Sequence, residues 1–248
     1  MRRTTLWYGS LVVAEKNMRI YYLKAPVLIF GIILPFFLCL AFVMGRDISL
    51  SSFVPGVVGM TLFFTSSSVG PLVTPWERNA RTYERLLSTP LSLSAILLGD
   101  VISGFIYGLA ISFLPVVLGV TIFGCGLDNV SLLLGGIVVG AFSFAALGVL
   151  LSAPHTGAPS HIMMLSALIR FPIVFLSGVF VPLEKMGQTG RMIALFSPLT
   201  YVVDIMREAF HGGSYYPLGM DFLLVVAYFF GLFYVALHLH RRGLTKSF

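Results

Sequence analysis

The sequence TPWERNARTYERLLSTP, at residues 74–90, is a strongly charged segment inside a chain that is otherwise mostly apolar. Thr74 and Glu77 have the spacing of a helix capping box, and the proline between them suits a first helical position. An apolar stripe follows at helical spacing, formed by Trp76, Ala80, Tyr83 and Leu87. Glu77 and Arg81 are four residues apart, in the order that favours an ion pair. The segment therefore predicts an amphipathic helix at residues 75–88, with its charges facing outward.

The composition places this segment in a membrane protein. The 248 residues are 57% hydrophobic and only 10% charged, with a mean hydropathy of +0.94. Soluble domains carry about 25% charged residues. The two cysteines form no disulfide framework and no metal-binding cluster. The net charge of +6 lies mainly beside the apolar stretches, so it indicates membrane orientation and no nucleic-acid partner.

Six apolar stretches are long enough to cross a bilayer, which favours an all-α membrane protein with a single transmembrane domain over residues 1–248. The predicted spans cover about residues 25–44, 53–73, 95–123, 130–153, 162–181 and 222–239. Residues 4–24 predict an interfacial helix with an apolar stripe of Trp7, Leu11, Ala14, Met18 and Tyr21. Residues 182–213 belong to a more polar interval with short helices of its own.

The basic residues predict the orientation of these spans. Of the sixteen Lys and Arg residues, eleven fall on the side that holds both termini and the 75–88 helix, and four fall on the other side. The positive-inside rule therefore places both termini and this helix in the cytoplasm, and residues 182–220 outside.

No arrangement typical of an enzyme is present. The run Ser66–Ser68 has no evident His or Asp partner, and the sequence has neither a phosphate-binding loop nor a nucleotide fingerprint. We therefore expect no catalytic residues, no metal site and no cofactor. Two ionisable residues, Asp100 and Arg170, lie inside predicted spans, where they are candidates for function. A structural pair, or snorkelling of the side chain to the interface, is the alternative for each.

Three stretches resemble the type-2 ABC exporter permeases, membrane subunits of drug, nodulation-factor and polysaccharide exporters. They lie at residues 77–92 (ERNARTYERLLSTPLS), 175–184 (FLSGVFVPLE) and 197–207 (SPLTYVVDIMR), and the resemblance covers nearly the whole chain. A glycine common in the first motif is absent here. The resemblance implies a dimer of permeases, with a second copy that is the same or different, and a cytoplasmic ABC ATPase in two copies. It also implies re-entrant outer helices at 182–213, with motif residues Pro198, Tyr201, Asp204 and Arg207.

A rigid charged helix between two spans suits transmission of motion from such an ATPase. The coupling residues that we predict are Glu77, Arg78, Arg81, Glu84 and Arg85. The 22 phenylalanines favour a hydrophobic or amphipathic cargo, a drug or lipid. A lipid-linked glycan is the second candidate, because Tyr215 and Tyr216 could contact sugars at the mouth of the path. The expectation is thus an exporter permease, not itself an enzyme, in the cell membrane. An ion-extruding permease or channel, or an intramembrane enzyme, are the alternatives.

Overall fold

The computed structural model describes residues 2–21, 29, 33–43, 50–154 and 158–246, and within them the regular structure is helical with no strand. The α-helices are α1 Arg2–Tyr21, α2 Leu34–Val43, α3 Val54–Asn79, α4 Thr82–Leu87, α5 Leu93–Thr121, α6 Val130–Leu151, α7 Pro159–Leu176, α8 Gln188–Ala194, α9 Pro198–His211 and α10 Leu218–Lys246. Short 3-10 turns cover Leu50–Phe53 and Leu183–Lys185.

In the described part of the chain, five helices are long and apolar enough to cross a membrane: α3, α5, α6, α7 and residues Leu218–Gly243 of α10. The predicted first span, 25–44, is described only in part, at position 29 and over residues 33–43, which contain α2. An all-helical membrane architecture is therefore confirmed, whereas a membrane span at residues 25–44 stays a prediction.

Helix α3 lies at the centre of the bundle. In its most apolar stretch 94% of the residues are buried, by α5, α6, α7 and α9 around it. The rings of Phe63 and Phe144 meet edge to face at 5.1 Å in the core between α3 and α6. At Gly70 and Gly148 the two backbones themselves approach, because a Cβ at Gly70 would lie only 2.3 Å from the Gly148 oxygen.

The predicted start of a separate helix at Pro75 is wrong. Thr74 and Pro75 lie inside α3, which begins after Phe53 and runs without interruption to Asn79. A proline within a helix costs about 3 kcal/mol. Here Val73 and Thr74 are fully buried and Glu77 nearly so, and this packing keeps the helix continuous across the proline.

The break comes later, between α3 and α4. Arg81 has a φ of 55°, in the left-handed region, and it separates the two helices. The predicted helix at 75–88 is thus the last turn of α3 joined by a sharp bend to the short α4.

Helix α1 packs on α5 through a face that includes Ala14 of the predicted interfacial stripe. Ser10, Val13, Ala14 and Asn17 are buried, whereas Trp7 and Leu11 are 64% and 56% exposed. Gly99 on α5 permits this close approach, since a Cβ at Gly99 would lie 2.6 Å from Val13. The exposed apolar side chains leave a surface that suits contact with lipid.

The ends of α7 and α10 also differ from the predicted span boundaries. Helix α7 ends at Leu176, short of the predicted span end at 181, and Gly178 follows with a φ of 82°. Helix α10 extends beyond the predicted 222–239 at both ends, so the basic residues after position 239 continue the helix.

Candidate functional site

The last turn of α3 directs Glu77 into the protein. Its side chain is buried and forms an ion pair with Lys16 of α1. Arg81 lies exposed at the bend. The predicted pairing of Glu77 with Arg81, and the outward orientation of Glu77, are therefore wrong. The Glu77 carboxylate is bound instead by Lys16, which lies 61 positions earlier in the chain.

Asp100 lies beside this ion pair, on α5, and is 3% exposed. It accepts a hydrogen bond of 2.7 Å from Asn17 Nδ2 and a longer one of 3.5 Å from Thr74 Oγ1. The same Asn17 nitrogen donates to Ser103 Oγ at 3.2 Å. Asp100 is thus bonded to both α1 and α3. We call this group the N-terminal junction; its members are Lys16, Asn17, Thr74, Glu77 and Asp100.

Arg78 fixes the neighbouring helix ends. Its Nη1 donates to the carbonyl oxygens of Ser152 and Pro154 at 3.1 and 3.2 Å, and its Nη2 lies 3.2 Å from His240 Nδ1. The guanidinium also lies 5.2 Å from the ring centroid of Tyr83. Arg78 therefore ties the end of α3 to the end of α6, to α10 and to α4.

Sequence reasoning did not select His240, which is 1% exposed in this joint. A histidine at the end of an apolar run is ordinarily an interfacial residue, so the sequence carries no signal of this burial.

Helix α4 presents the outward-facing charges. Arg81, Glu84 and Arg85 are exposed, and we call them the exposed face of α4. On the opposite side, Tyr83 is 3% exposed, and burial raises its pKa to about 12. Of the five predicted coupling residues, Glu77 and Arg78 thus bind other parts of the protein. The other three, the exposed face of α4, are accessible to another molecule.

Arg170 lies in the middle of α7 and is 4% exposed. Its guanidinium donates to Ser68 Oγ at 2.8 Å and reaches Ser67 Oγ at 3.4 Å, while Nε donates to the Ser166 carbonyl oxygen. It also lies 5.7 Å from the Phe64 ring. The serine run of α3 therefore serves to bind α7.

The motif residues of α9 hold the segments on either side of it. Pro198 begins the helix, and Tyr201 Oη donates to the Leu195 oxygen at 2.8 Å. Asp204 accepts from the backbone N–H groups of Tyr215 and Tyr216 at 2.9 and 2.8 Å.

Arg207 Nη2 donates to the Gly178 oxygen at 2.5 Å, which fixes the chain that follows α7. Burial raises the pKa of Asp204, against the effect of the two N–H groups that it accepts. Burial likewise lowers the pKa of Arg207.

Asp221, in the first turn of α10, was missed by the sequence reasoning. It is fully buried, although it lies between the predicted outer interval, 182–220, and the predicted span at 222–239, and belongs to neither prediction. An acid at the very edge of such a run was the available signal. Across the residues that the structure describes, no three His, Cys, Asp or Glu side chains are grouped so as to hold a metal ion.

Comparison with known proteins gives consistent matches. The family model of the ABC-2 type transporter matches residues 11–211. The chain is 25% identical over 207 residues to Nodulation protein J of Neorhizobium galegae, covering 80% of this chain and 76% of that protein. It is 27% identical over 221 residues to the Daunorubicin resistance ABC transporter permease protein DrrB1 of Streptomyces coeruleorubidus, covering 84% and 74%. It is also 26% identical to the Inner membrane transport permease YhhJ of Escherichia coli (strain K12), over 67% of this chain and 45% of that protein.

Proposed function

The chain belongs to the ABC-2 type transporter family, and we propose that it forms the translocation path of an ATP-driven exporter as a dimer, moved by a separate cytoplasmic ABC ATPase. Membership makes it a membrane permease subunit. The dimer, the two ATPase copies, the coupling surface on α4 and the outward direction of transport are our proposal. It also adds a cell-membrane location with both termini in the cytoplasm, for which the distribution of basic residues is the support.

The observation that carries the coupling proposal is the way in which the exposed face of α4 is mounted. Glu84 and Arg85 project from a helix whose inner side is fixed by the buried Tyr83 and by Arg78, and the exposed Arg81 immediately precedes that helix. A force applied to α4 therefore reaches the ends of α3, α6 and α10 directly.

The N-terminal junction extends this path to α1. Glu77 and Asp100 bind Lys16 and Asn17, so α1 is held to α3 and α5 through polar contacts as well as packing. Buried hydrogen-bonded groups keep a fixed geometry, because separating them leaves desolvated polar atoms without partners. We therefore propose that α1, α3 and α4 move together when the ATPase closes on ATP.

The exposed apolar faces of α7 and α10 support the dimer and the kind of cargo. Only 22% and 11% of the residues in their most apolar stretches are buried within one copy of the chain. Lipid or a second permease can cover such surfaces. A path lined by them suits a hydrophobic or amphipathic molecule, and we propose that class as cargo, with a lipid-linked glycan as the second candidate.

The coupling role is tested in liposomes that contain the permease assembled with its ATPase. The variants are Glu84→Ala and Arg85→Glu, and the matched controls are Glu184→Ala and Lys185→Glu, also at exposed positions. We expect cargo-stimulated ATP turnover to fall by about fivefold or more in the two α4 variants only, the scale of a typical coupling free energy.

Co-purification of the ATPase with each variant shows whether assembly survives. Unchanged turnover in both α4 variants, in complexes that assemble normally, would contradict the coupling role of this helix.

A further inference from the structure

The carboxylate of Asp221 is buried without a hydrogen-bond donor. Both of its oxygens are inaccessible to solvent, and none of the residues that the structure describes donates a hydrogen bond to either. Its backbone N–H is already used, since it donates to the Pro217 oxygen at 3.2 Å. The ionised form of a carboxyl group in this state costs several kcal/mol, a cost that is offset either by a bound proton or by a cationic group beside it. This position therefore favours a positively charged ligand.

A second buried acid lies close to the first. Asp204 is 1% exposed, and the two carboxylates are near enough to repel each other. Asp204 accepts two backbone N–H groups and is also influenced by the charge of Arg207, whose Nη2 donates to the Gly178 oxygen. Asp204 is thus partly satisfied by the protein, whereas Asp221 is not.

Four tyrosines pack against one another beside these acids. The Tyr201 ring lies 5.9 Å from that of Tyr216 and 6.2 Å from that of Tyr228, and the Tyr215 and Tyr216 rings are 4.8 Å apart. Electrostatic interactions also connect Asp221 with Tyr201 and Tyr216. We call this group the acid–tyrosine cluster; its members are Asp204, Asp221, Tyr201, Tyr215, Tyr216 and Tyr228.

The tyrosine side of the cluster is partly accessible to solvent and already contacts a cationic side chain. Tyr201 is buried, but Tyr215 is 37% exposed and Tyr216 and Tyr228 are partly so. The guanidinium of Arg191 lies 5.9 Å from the Tyr215 ring and donates to its hydroxyl at 3.3 Å. Aromatic faces bind cations best when the cation sheds its water easily.

We propose that the acid–tyrosine cluster binds an organic cation: the ammonium, or a similar weakly hydrated cationic group, of an amphipathic molecule. A hard metal ion fits less well, because Ca²⁺ and Mg²⁺ need six or more oxygen ligands and one of the two acids is already bonded to backbone. Aromatic rings, by contrast, accommodate the apolar substituents of an organic cation. The inference rests on the proposed function for its biological meaning, since such a molecule would be the cargo.

The test measures binding of radiolabelled tetraphenylphosphonium to the purified full-length protein in detergent micelles. We expect saturable binding that Asp221→Asn weakens by about tenfold or more, because the amide keeps the shape and removes the charge. The matched control is Asp128→Asn, an exposed acid in the turn after α5, which should bind the probe as the unaltered protein does.

A second variant separates ligand binding from folding. Tyr228→Leu removes a ring without touching either carboxylate, and we expect binding about threefold weaker. Circular dichroism and gel filtration establish that each variant is folded. Absence of saturable binding by the unaltered protein, or equal binding by Asp221→Asn, would overturn the proposal. The assay uses the permease alone, so its result is independent of ATP turnover.

Discussion

The N-terminal junction and the acid–tyrosine cluster both bury two carboxylates, and they treat them differently. In the junction, Glu77 pairs with Lys16 and Asp100 accepts two side-chain hydrogen bonds. In the cluster, Asp204 is held by backbone N–H groups while Asp221 receives no hydrogen bond from the described residues.

The two regions lie at opposite ends of α10. His240 contacts Arg78 beside the junction, and Asp221 is 19 positions earlier. At about 1.5 Å per residue this separation is roughly 28 Å, close to the thickness of a bilayer's hydrocarbon core.

The difference distinguishes a structural joint from a binding site. Where every acid has a partner from another helix, separating the helices costs free energy, so the group holds them together. Where an acid has none, its ionised form is costly, and a cationic ligand that offsets this cost binds more tightly in return. We infer that the N-terminal junction transmits movement between helices and that the acid–tyrosine cluster binds a cation.

The largest expected effect is an all-or-none difference in labelling, since the comparison requires the two regions to face opposite sides of the membrane. Single cysteines replace Gln188, on α8 near the cluster, and Asn79, next to Arg78. Both positions are exposed. In intact cells an impermeant thiol reagent should modify the cysteine at 188 and leave the one at 79 unmodified.

The background for this experiment is the chain with Cys39 and Cys125 changed to serine. Labelling of both cysteines after the membrane is permeabilised shows that each can react. Modification of the cysteine at 79 alone in intact cells would reverse the orientation proposed from the basic residues.

The second effect is a loss of stability at the junction. Asp100→Ala removes the acceptor of the Thr74 hydroxyl and leaves Asn17 Nδ2 with Ser103 Oγ alone, so we expect the free energy of unfolding to fall by about 1–3 kcal/mol. Asp100→Asn, which keeps an acceptor oxygen, should lose less. Thermal unfolding in micelles, followed by circular dichroism, measures both; equal stability of Asp100→Ala and the unaltered protein would mean that the junction holds nothing.

Much of the bundle was predictable from the sequence. Uninterrupted apolar runs predicted α3, α5 and α6 to within a few residues at most of their ends, because in lipid the backbone must satisfy itself within a helix. Asp100 stood out for the same reason, as a charge where few are tolerated.

The orientation of individual side chains was not predictable in the same way. Thr74, Pro75 and Glu77 form a valid local start signal, yet Glu77 is held by Lys16 from a distant part of the chain. Which face of α1 packs depends on the groove at Gly99, which no periodicity within α1 reveals. Asp221 was missed because its burial comes from tertiary packing at the edge of an apolar run.

The smallest expected effect lies in the cluster and is the sharpest test of the comparison. Asp221→Asn removes a charge that no described residue stabilises, so we expect the free energy of unfolding to stay within about 0.5 kcal/mol of the unaltered protein or to rise. Asp204→Asn is the matched variant: it weakens two charge-assisted bonds from Tyr215 and Tyr216 and should lose about 1–3 kcal/mol. Thermal unfolding without any added cation gives both values. If Asp221→Asn were as unstable as Asp204→Asn, Asp221 would be a structural acid like Asp100, and the distinction between the two regions would fail.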